Sequence, residues 1–336
     1  MKKKIYIAYT GGTIGMKASN NGYIPVKDHL TKSIQAMPDF HREEMPEFVI
    51  NEYQPLIDSS NMAPSDWQRI ADDIKEHYND YDGFVVLHGT DTMAFTSSAL
   101  SFMFENLAKP VIVTGSQIPL TQLRSDGQVN LLNSLYIAAN YPIDEVGLYF
   151  NNKLYRGNRC IKAYADGFNA FDSPNMPPLL EAGINMKAIA GKVVNHRYIE
   201  PLKLSNITPQ PIGVAHLYPG ISSELINNII QQPVKALIMR SYGVGNAPQD
   251  KGLLASLESA RQHNIIVVNC SQCIKGMVNM DGYATGTWLS QAGVISGKDM
   301  TLEATLTKLH YLLSQNMTFA QTQKLMQQNL RGELSE

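Results

Sequence analysis

Phe84-Val85-Val86-Leu87-His88-Gly89-Thr90-Asp91-Thr92 is the stretch on which the architecture turns. Four apolar residues without polar alternation mark a strand covered on both faces, as in the interior of a parallel sheet. The run breaks at Gly89 into small polar residues, and residues 94–107 then read as a helix. Strand, polar turn and helix form the repeating unit of an α/β sheet. The same unit recurs on either side. Residues 5–9 read as a first strand. Residues 65–78 read as a helix with Trp67, Ile70, Ala71, Ile74 and Tyr78 on one face. Residues 111–114 and 146–150 read as further strands, with a helix over 129–139 between them. The alternation predicts an α/β fold with a mainly parallel sheet and helices on both faces.

Residues 185–211 interrupt the rhythm with polar residues and with Pro201, Pro209 and Pro211. They read as a linker after a larger N-terminal α/β domain, 1–184. A smaller C-terminal α/β domain, 212–336, restarts the alternation. Its strands are expected at 212–217, 234–239 and 265–269, and its helices at 222–231, 252–263, 302–313 and 319–329. A chain of 336 residues with 44% hydrophobic and 17% charged residues buries a core without disulfide support. The formal charge of -2 leaves no basic footprint for nucleic acid. No run approaches the ~18 apolar residues of a membrane span. The basic start, Lys2 to Lys4, leads straight into a strand rather than the apolar core of a signal peptide. Three cysteines give no disulfide framework and point to a reducing compartment, hence the cytoplasm.

Ligands of open α/β sheets bind outside the carboxyl ends of the strands, so the residues that follow strands carry the functional signal. The first strand runs into Thr10-Gly11-Gly12-Thr13-Ile14-Gly15. The spacing is not that of a dinucleotide fingerprint, and residues 17–25 read as a loop rather than a pyrophosphate-binding helix. Thr13 is the reactive side chain of this turn, though a threonine in a tight turn is by default a local hydrogen-bonder. Thr90 and Asp91 either cap the following helix or face a ligand. His88 reads as packed within its strand. Ser116 and Gln117, after the third strand, either recognise an amide or make a turn, and Arg124 and Asp126 read as an ion pair bracing that turn. Asp58-Ser59-Ser60 follows the apolar run 53–57 and reads as a cap or as hydroxyls for a carboxylate. The 149–162 stretch is hairpin-like and carries Arg156 and Lys162. Cys270 and Cys273 have redox spacing but follow a late strand and read as buried thiols. The eight histidines show no metal-ligand pairing, and no cofactor is implied.

Tyr9-Thr10-Gly11-Gly12-Thr13-Ile14-Gly15 and Leu87-His88-Gly89-Thr90-Asp91-Thr92-Met93, taken together, resemble the two signature motifs of the bacterial-type L-asparaginases. The resemblance extends through Asp58-Ser59-Ser60, Val113-Thr114-Gly115-Ser116-Gln117, Arg124-Ser125-Asp126-Gly127, the Lys162 region and Arg240 to Asn246. With no secretion signal the chain resembles the cytoplasmic type I branch. The resemblance implies hydrolysis of L-asparagine to L-aspartate and ammonia through a threonine nucleophile and a β-aspartyl ester. Thr13 matches the nucleophile and Tyr23 the lid tyrosine. Thr90, Asp91 and Lys162 match the second catalytic cluster, with Asp91 also holding the substrate α-ammonium. Ser59, with Asp58 and Ser60 beside it, matches the carboxylate-binding turn. The resemblance further implies a homotetramer built as a dimer of dimers, with Asn246 supplied across the intimate interface. Secreted relatives carry glutamine at the position of Ser60 and donate a glutamate from a neighbouring subunit, for which Asp281 is the candidate here. Some cytoplasmic relatives bind asparagine at a second site, for which Arg240 is the candidate. A broader glutaminase-asparaginase and a non-catalytic asparagine sensor are the competing readings.

Overall fold

The computed structural model describes residues 2–20, 22–189, 200–280, 282 and 284–335. The chain divides into two compact units, Met1–Ser205 and Asn206–Glu336. The first is built on an eight-stranded sheet. Its strands are β1 (Lys4–Tyr9), β2 (Glu47–Glu52), β3 (Gly83–Leu87), β4 (Val111–Thr114), β5 (Val146–Phe150), β6 (Lys153–Arg156), β7 (Leu180–Ala182) and β8 (Met186–Ala188). The spatial order is β8-β7-β6-β5-β4-β3-β1-β2. β2, β1, β3, β4 and β5 are mutually parallel, whereas β5 to β8 run antiparallel as a meander. The parallel part thus has the order 2-1-3-4-5, and its direction of winding reverses between β1 and β3.

Residues Ile5, Ile7, Val85, Leu87 and Ile112 of the central strands are fully buried in a core shared with Ile34, Leu131 and Leu135. The flanking helices follow from their sequences. Pro64–Glu76 starts on a proline at its first turn and turns Trp67, Ile70, Ala71 and Ile74 inward. The Asp66 carboxylate accepts the Ala63 N–H at 2.8 Å, which satisfies a free donor at the helix start. Met93–Met103 is buried almost throughout, as expected of a helix with little polar face. It stops four residues short of the predicted end because Phe104–Glu105 leaves the helix to pair with Lys203–Leu204. The Asn151-Asn152 turn of the β5–β6 hairpin has positive φ at both residues, the geometry of a tight two-residue hairpin.

Four regions depart from the sequence reading. Residues 17–25, expected as a loop, lie in an antiparallel hairpin of Met16–Ser19 with Gly22–Pro25. Gly22, with φ of 95°, opens the second strand opposite Ser19. The strand beside β1 is Glu47–Glu52, whereas 53–57 continues irregularly, held by Tyr53 N–H to Tyr9 O and Ile57 N–H to Thr10 O. The short helix His29–Gln35 was not expected. Within the segment read as a linker, Met186–Ala188 and Lys203–Leu204 are strands, and residues 190–199 lie outside the described residues.

The second unit carries a parallel four-stranded sheet of β9 (Ile212–His216), β10 (Ala236–Ser241), β11 (Ile266–Ser271) and β12 (Ile295–Ser296). Its core gathers Leu237, Met239, Val267, Leu253 and Leu257. Ser222, Asp250, Thr301 and Thr318 cap its helices with their side chains. Lys308, fully buried in Leu302–Leu313, pairs with the equally buried Glu333 and donates to the carbonyls of Met326 and Gln328. Burial pushes this lysine down and the Glu333 carboxylate pulls it back up. The chain after Phe319–Met326 is tied to the domain at that point.

Candidate active site

At the reversal between β1 and β3, at the carboxyl edge of the sheet where such folds bind ligands, three turns meet. Thr10 joins the two strands at their ends. Its N–H and its hydroxyl both donate to the Leu87 carbonyl, at 3.0 and 2.8 Å. Beyond it Gly12 has φ of 94°. A Cβ on Gly12 would fall 2.4 Å from the Gly89 nitrogen, so the two motifs touch backbone to backbone. A Cβ on Gly89 would fall 2.4 Å from Ser59 Oγ, which brings in the third turn. Thr13 and Thr90 are each the residue after these touching glycines. Thr13 opens a short 3-10 turn, Thr13–Gly15, and is half-buried.

Around Thr90 the polar groups are joined. Thr90 is 8% exposed. Lys162 Nζ donates to Thr90 Oγ1 at 3.0 Å and to Asp91 Oδ1 at 2.7 Å. Lys162 is placed by the two-residue strand Ile161–Lys162, paired with Phe171–Asp172. Asp91 keeps 61% of its side chain exposed. Neither Thr90 nor Asp91 caps the following helix, so the capping alternative is not what the chain uses. Thr92 occupies the N-cap position, and its hydroxyl instead donates to Ser59 O at 2.7 Å, locking the Ser59 turn to β3. Thr92 is a site-building residue that the sequence reading passed over.

The Thr90 hydroxyl donates to Gln117 Oε1 at 3.0 Å. The turn carrying Gln117 is braced, but not by the expected ion pair. The Asp126 carboxylate accepts the backbone N–H groups of Gln117 and Ile118 and the Asn130 amide, and Arg124 is not its partner. Backbone donors reach the half-buried carboxylate directly, whereas Arg124 sits in the left-handed region with φ of 65°. Burial pushes the Asp126 carboxyl up, and the same N–H bonds pull it down.

The Asp58 carboxylate accepts the Ser60 N–H at 3.0 Å and starts the 3-10 turn Ser59–Asn61. Ser59 is 4% exposed and Ser60 is exposed. Tyr23 lies on the hairpin after Thr13, 47% exposed. Asn246 and Arg240 belong to the second unit. Asn246 closes the turn after β10 through paired backbone bonds with Tyr242. Arg240 Nη2 donates to Ser271 O and Gln272 O at the end of β11. Asp281 lies outside the described residues. Arg156 forms an ion pair with Glu145. Cys270 is buried, with its thiol pushed up to about 11 by burial, but Cys273 is exposed, against the expectation for it.

His88 is structural, as the sequence suggested. It is fully buried, with Nδ1 2.7 Å from Gly89 O and Nε2 2.8 Å from Thr96 Oγ1. The carbonyl needs a donor, so Nδ1 carries the proton and Nε2 accepts from the threonine hydroxyl. Burial pushes this imidazole down to about 4. Above the unfolded value of 6.5 the ring is neutral in both states. Below it the unfolded chain binds a proton that the folded chain refuses until about pH 4. His88 should therefore cost stability as pH falls from 6.5 to 4, by about 3 kcal/mol at the lower end. Denaturant unfolding across that range should show a steeper slope for wild type than for His88→Gln. Equal slopes would mean that the folded protein protonates His88 freely.

The family model described as "Asparaginase, N-terminal" matches residues 4–193, and that of the "Glutaminase/Asparaginase C-terminal domain" matches 211–326. The chain belongs to the asparaginase family. It is 66% identical over 334 residues to L-asparaginase 1 of Escherichia coli (strain K12), covering 99% of this chain and 98% of that one. It is 33% identical to the L-asparaginase of Thermococcus kodakarensis, over 99% of each. The crystal structure of L-asparaginase I from Vibrio cholerae O1 biovar eltor superimposes with a TM-score of 0.95 at 61% identity, covering 100% of both chains. The asparaginase-family chain is an amidohydrolase with the family's two-domain α/β fold. Among its described residues no helix is long and apolar enough to cross a membrane, and no group of three or more His, Cys, Asp or Glu gathers to hold a metal.

Proposed function

We propose that this enzyme hydrolyses L-asparagine to L-aspartate and ammonia, with Thr13 as nucleophile. The observation that carries the reading is the joined Thr90, Lys162 and Asp91 cluster next to the Thr13 turn, at the ligand-binding reversal of the sheet. The 66% identity to a protein named L-asparaginase 1 supports the substrate. In this mechanism Thr13 Oγ1 attacks the side-chain amide carbon. The amide nitrogen takes up a proton and leaves as ammonia, and a β-aspartyl ester remains on Thr13. Water then cleaves the ester and restores the hydroxyl. A threonine hydroxyl needs a neighbour to accept its proton. Tyr23 serves Thr13, and Lys162, once neutral, serves Thr90. The Gly12 and Gly89 turns supply N–H donors to the developing oxyanion. Asp91 holds the α-ammonium with the carboxylate oxygen that Lys162 leaves open. Ser59, flanked by Asp58 and Ser60, receives the α-carboxylate.

The same reading makes the enzyme a homotetramer in which Asn246 completes a neighbouring subunit's site, and places it in the cytoplasm, which suits its three free cysteines. It also includes a second asparagine site at Arg240, linked to turnover. In support, Arg240 Nε and Glu303 Oε2 are buried without hydrogen-bond partners among the described residues. Ammonia release from L-asparagine and L-glutamine over a wide concentration range tests all of this. A sigmoidal asparagine curve is expected, with little glutamine turnover. Equal glutamine turnover would make the enzyme a glutaminase-asparaginase. A hyperbolic curve with one asparagine bound per subunit would remove the second site. Binding without ammonia release would make the protein a sensor.

A further inference from the structure

We propose that Gln117 is a positioning residue for the reaction, holding the Thr90 hydroxyl in register with Lys162; this rests on the catalytic reading of Thr90 and Lys162 above. Both ends of Gln117 are fixed. Its backbone N–H is clamped by the two Asp126 carboxylate oxygens, at 3.0 and 3.1 Å. Its side-chain Nε2 donates to Gly167 O at 3.0 Å and reaches Ala165 O at 3.4 Å. Those two carbonyls can only accept, so the amide is locked with nitrogen towards them and Oε1 towards Thr90. Flipping it would set oxygen against two oxygens and NH₂ against the Lys162-bound hydroxyl.

The consequence lies at Thr90 Oγ1. Lys162 Nζ donates to this oxygen, so the hydroxyl proton must go elsewhere, and Gln117 Oε1 at 3.0 Å receives it. Two bonds of opposite sense then fix Oγ1 between Lys162 and Gln117. Without the amide oxygen, Thr90 would be held from the lysine side alone. Proton transfer depends steeply on heavy-atom placement, and a misplacement of about 1 Å costs on the order of 10²-fold. Gln117 itself need not touch substrate for this.

The test compares wild type, Gln117→Met, Gln117→Glu and Thr90→Val in steady-state ammonia release from L-asparagine, with thermal unfolding of each. Methionine keeps the volume and removes both the acceptor and the donors. Glutamate keeps an acceptor oxygen and removes the donors to residues 165 and 167. Gln117→Met should lose about 10- to 100-fold in kcat, with KM within about threefold of wild type. Gln117→Glu should regain at least about fivefold of that loss, although its Tm falls as far, because it loses the same tie. If Gln117→Met does not fold, Gln117→Asn takes its place, since its shorter arm cannot serve Thr90 and residues 165–167 together. Equal kcat in the glutamate and methionine (or asparagine) variants, or a loss carried by KM, overturns the inference, because only the tie would then matter. Unimpaired turnover by Thr90→Val would remove Thr90 from catalysis and the inference with it. Loss in Thr90→Val alongside equal Gln117 variants would sink the inference alone.

Discussion

Thr13→Ala should lower ammonia release from L-asparagine by about 10⁴-fold or more while leaving Tm within a few degrees of wild type. The two halves of this expectation come from different observations. Thr13 is half-buried, and among the described residues its hydroxyl takes part in no hydrogen bond. Removing that hydroxyl therefore orphans nothing. Thr10, three residues earlier, gives the contrast. It is 1% exposed, and its hydroxyl donates to the Leu87 carbonyl at 2.8 Å, so it belongs to the fold. Thr10→Val should cost about 1–2 kcal/mol of stability, with a much smaller effect on turnover than Thr13→Ala. Only a hydroxyl that forms and breaks a bond to substrate carries a loss as large as that expected at Thr13. Steady-state assays with denaturant unfolding on both variants separate the roles. Turnover by Thr13→Ala within tenfold of wild type would remove Thr13 as nucleophile. The natural successor would then be Thr90, whose hydroxyl already has Lys162 beside it.

What the sequence made legible follows from what each signal encodes. The runs in β1, β3, β4 and β5 are short, apolar and end in glycine or small polar residues, so burial on both faces was readable from them alone. The order of those strands was not, because the alternation is the same whichever way the chain winds. Placing β2 on the outer side of β1 is what makes the reversal, and β2 reads Glu47-Phe48-Val49-Ile50-Asn51-Glu52, an edge strand with charged ends and an apolar run of only three residues. The hairpin at 16–25 was hidden in the same way, since all four residues of Gly22–Pro25 are exposed and no buried face sets a period. At the site, the threonines stood out by residue type and position. The link from Lys162 to Thr90 spans 72 positions and is made by folding alone. The Arg124–Asp126 pair was a reasonable sequence inference that failed for a local reason: the backbone N–H groups of Gln117 and Ile118, nine and eight residues earlier, compete for the same carboxylate without the entropy loss of a long side chain. Thr92 was missed because a threonine at a helix start looks like a cap, and nothing in the sequence says that its hydroxyl turns to Ser59 instead.

Gly12→Ala and Gly89→Ala should both destabilise the protein, but for different reasons, and only the second should be rescuable. At Gly12, φ is 94°, which L side chains adopt at a cost of about 1–2 kcal/mol. The added methyl would also stand 2.4 Å from the Gly89 nitrogen and 2.6 Å from its Cα. Backbone cannot rotate away as a side chain does, so the Thr13 turn and the β3 end would have to separate. The expected cost is about 3–5 kcal/mol, with turnover lost as the turns part. At Gly89 the backbone lies outside the left-handed region, so alanine meets only a steric problem. Its methyl would fall 2.4 Å from Ser59 Oγ and 2.8 Å from Ser59 Cβ, while the next contact, Gly12 Cα, is at an ordinary 3.4 Å. Removing the Ser59 side chain thus removes the clash. In a double-mutant cycle of Gly89→Ala with Ser59→Gly, followed by denaturant unfolding, the coupling should favour the double variant by at least about 1 kcal/mol. The same Ser59→Gly change should do nothing for Gly12→Ala. Additive effects in the Gly89 cycle would mean that the Ser59 turn is not seated on β3 in solution. Because Ser59 is the hydroxyl proposed to bind the α-carboxylate, the rescued double variant should fold and still bind L-asparagine poorly, with the defect in KM. A fold restored without binding restored would show one contact serving both the packing of the three turns and the recognition of substrate.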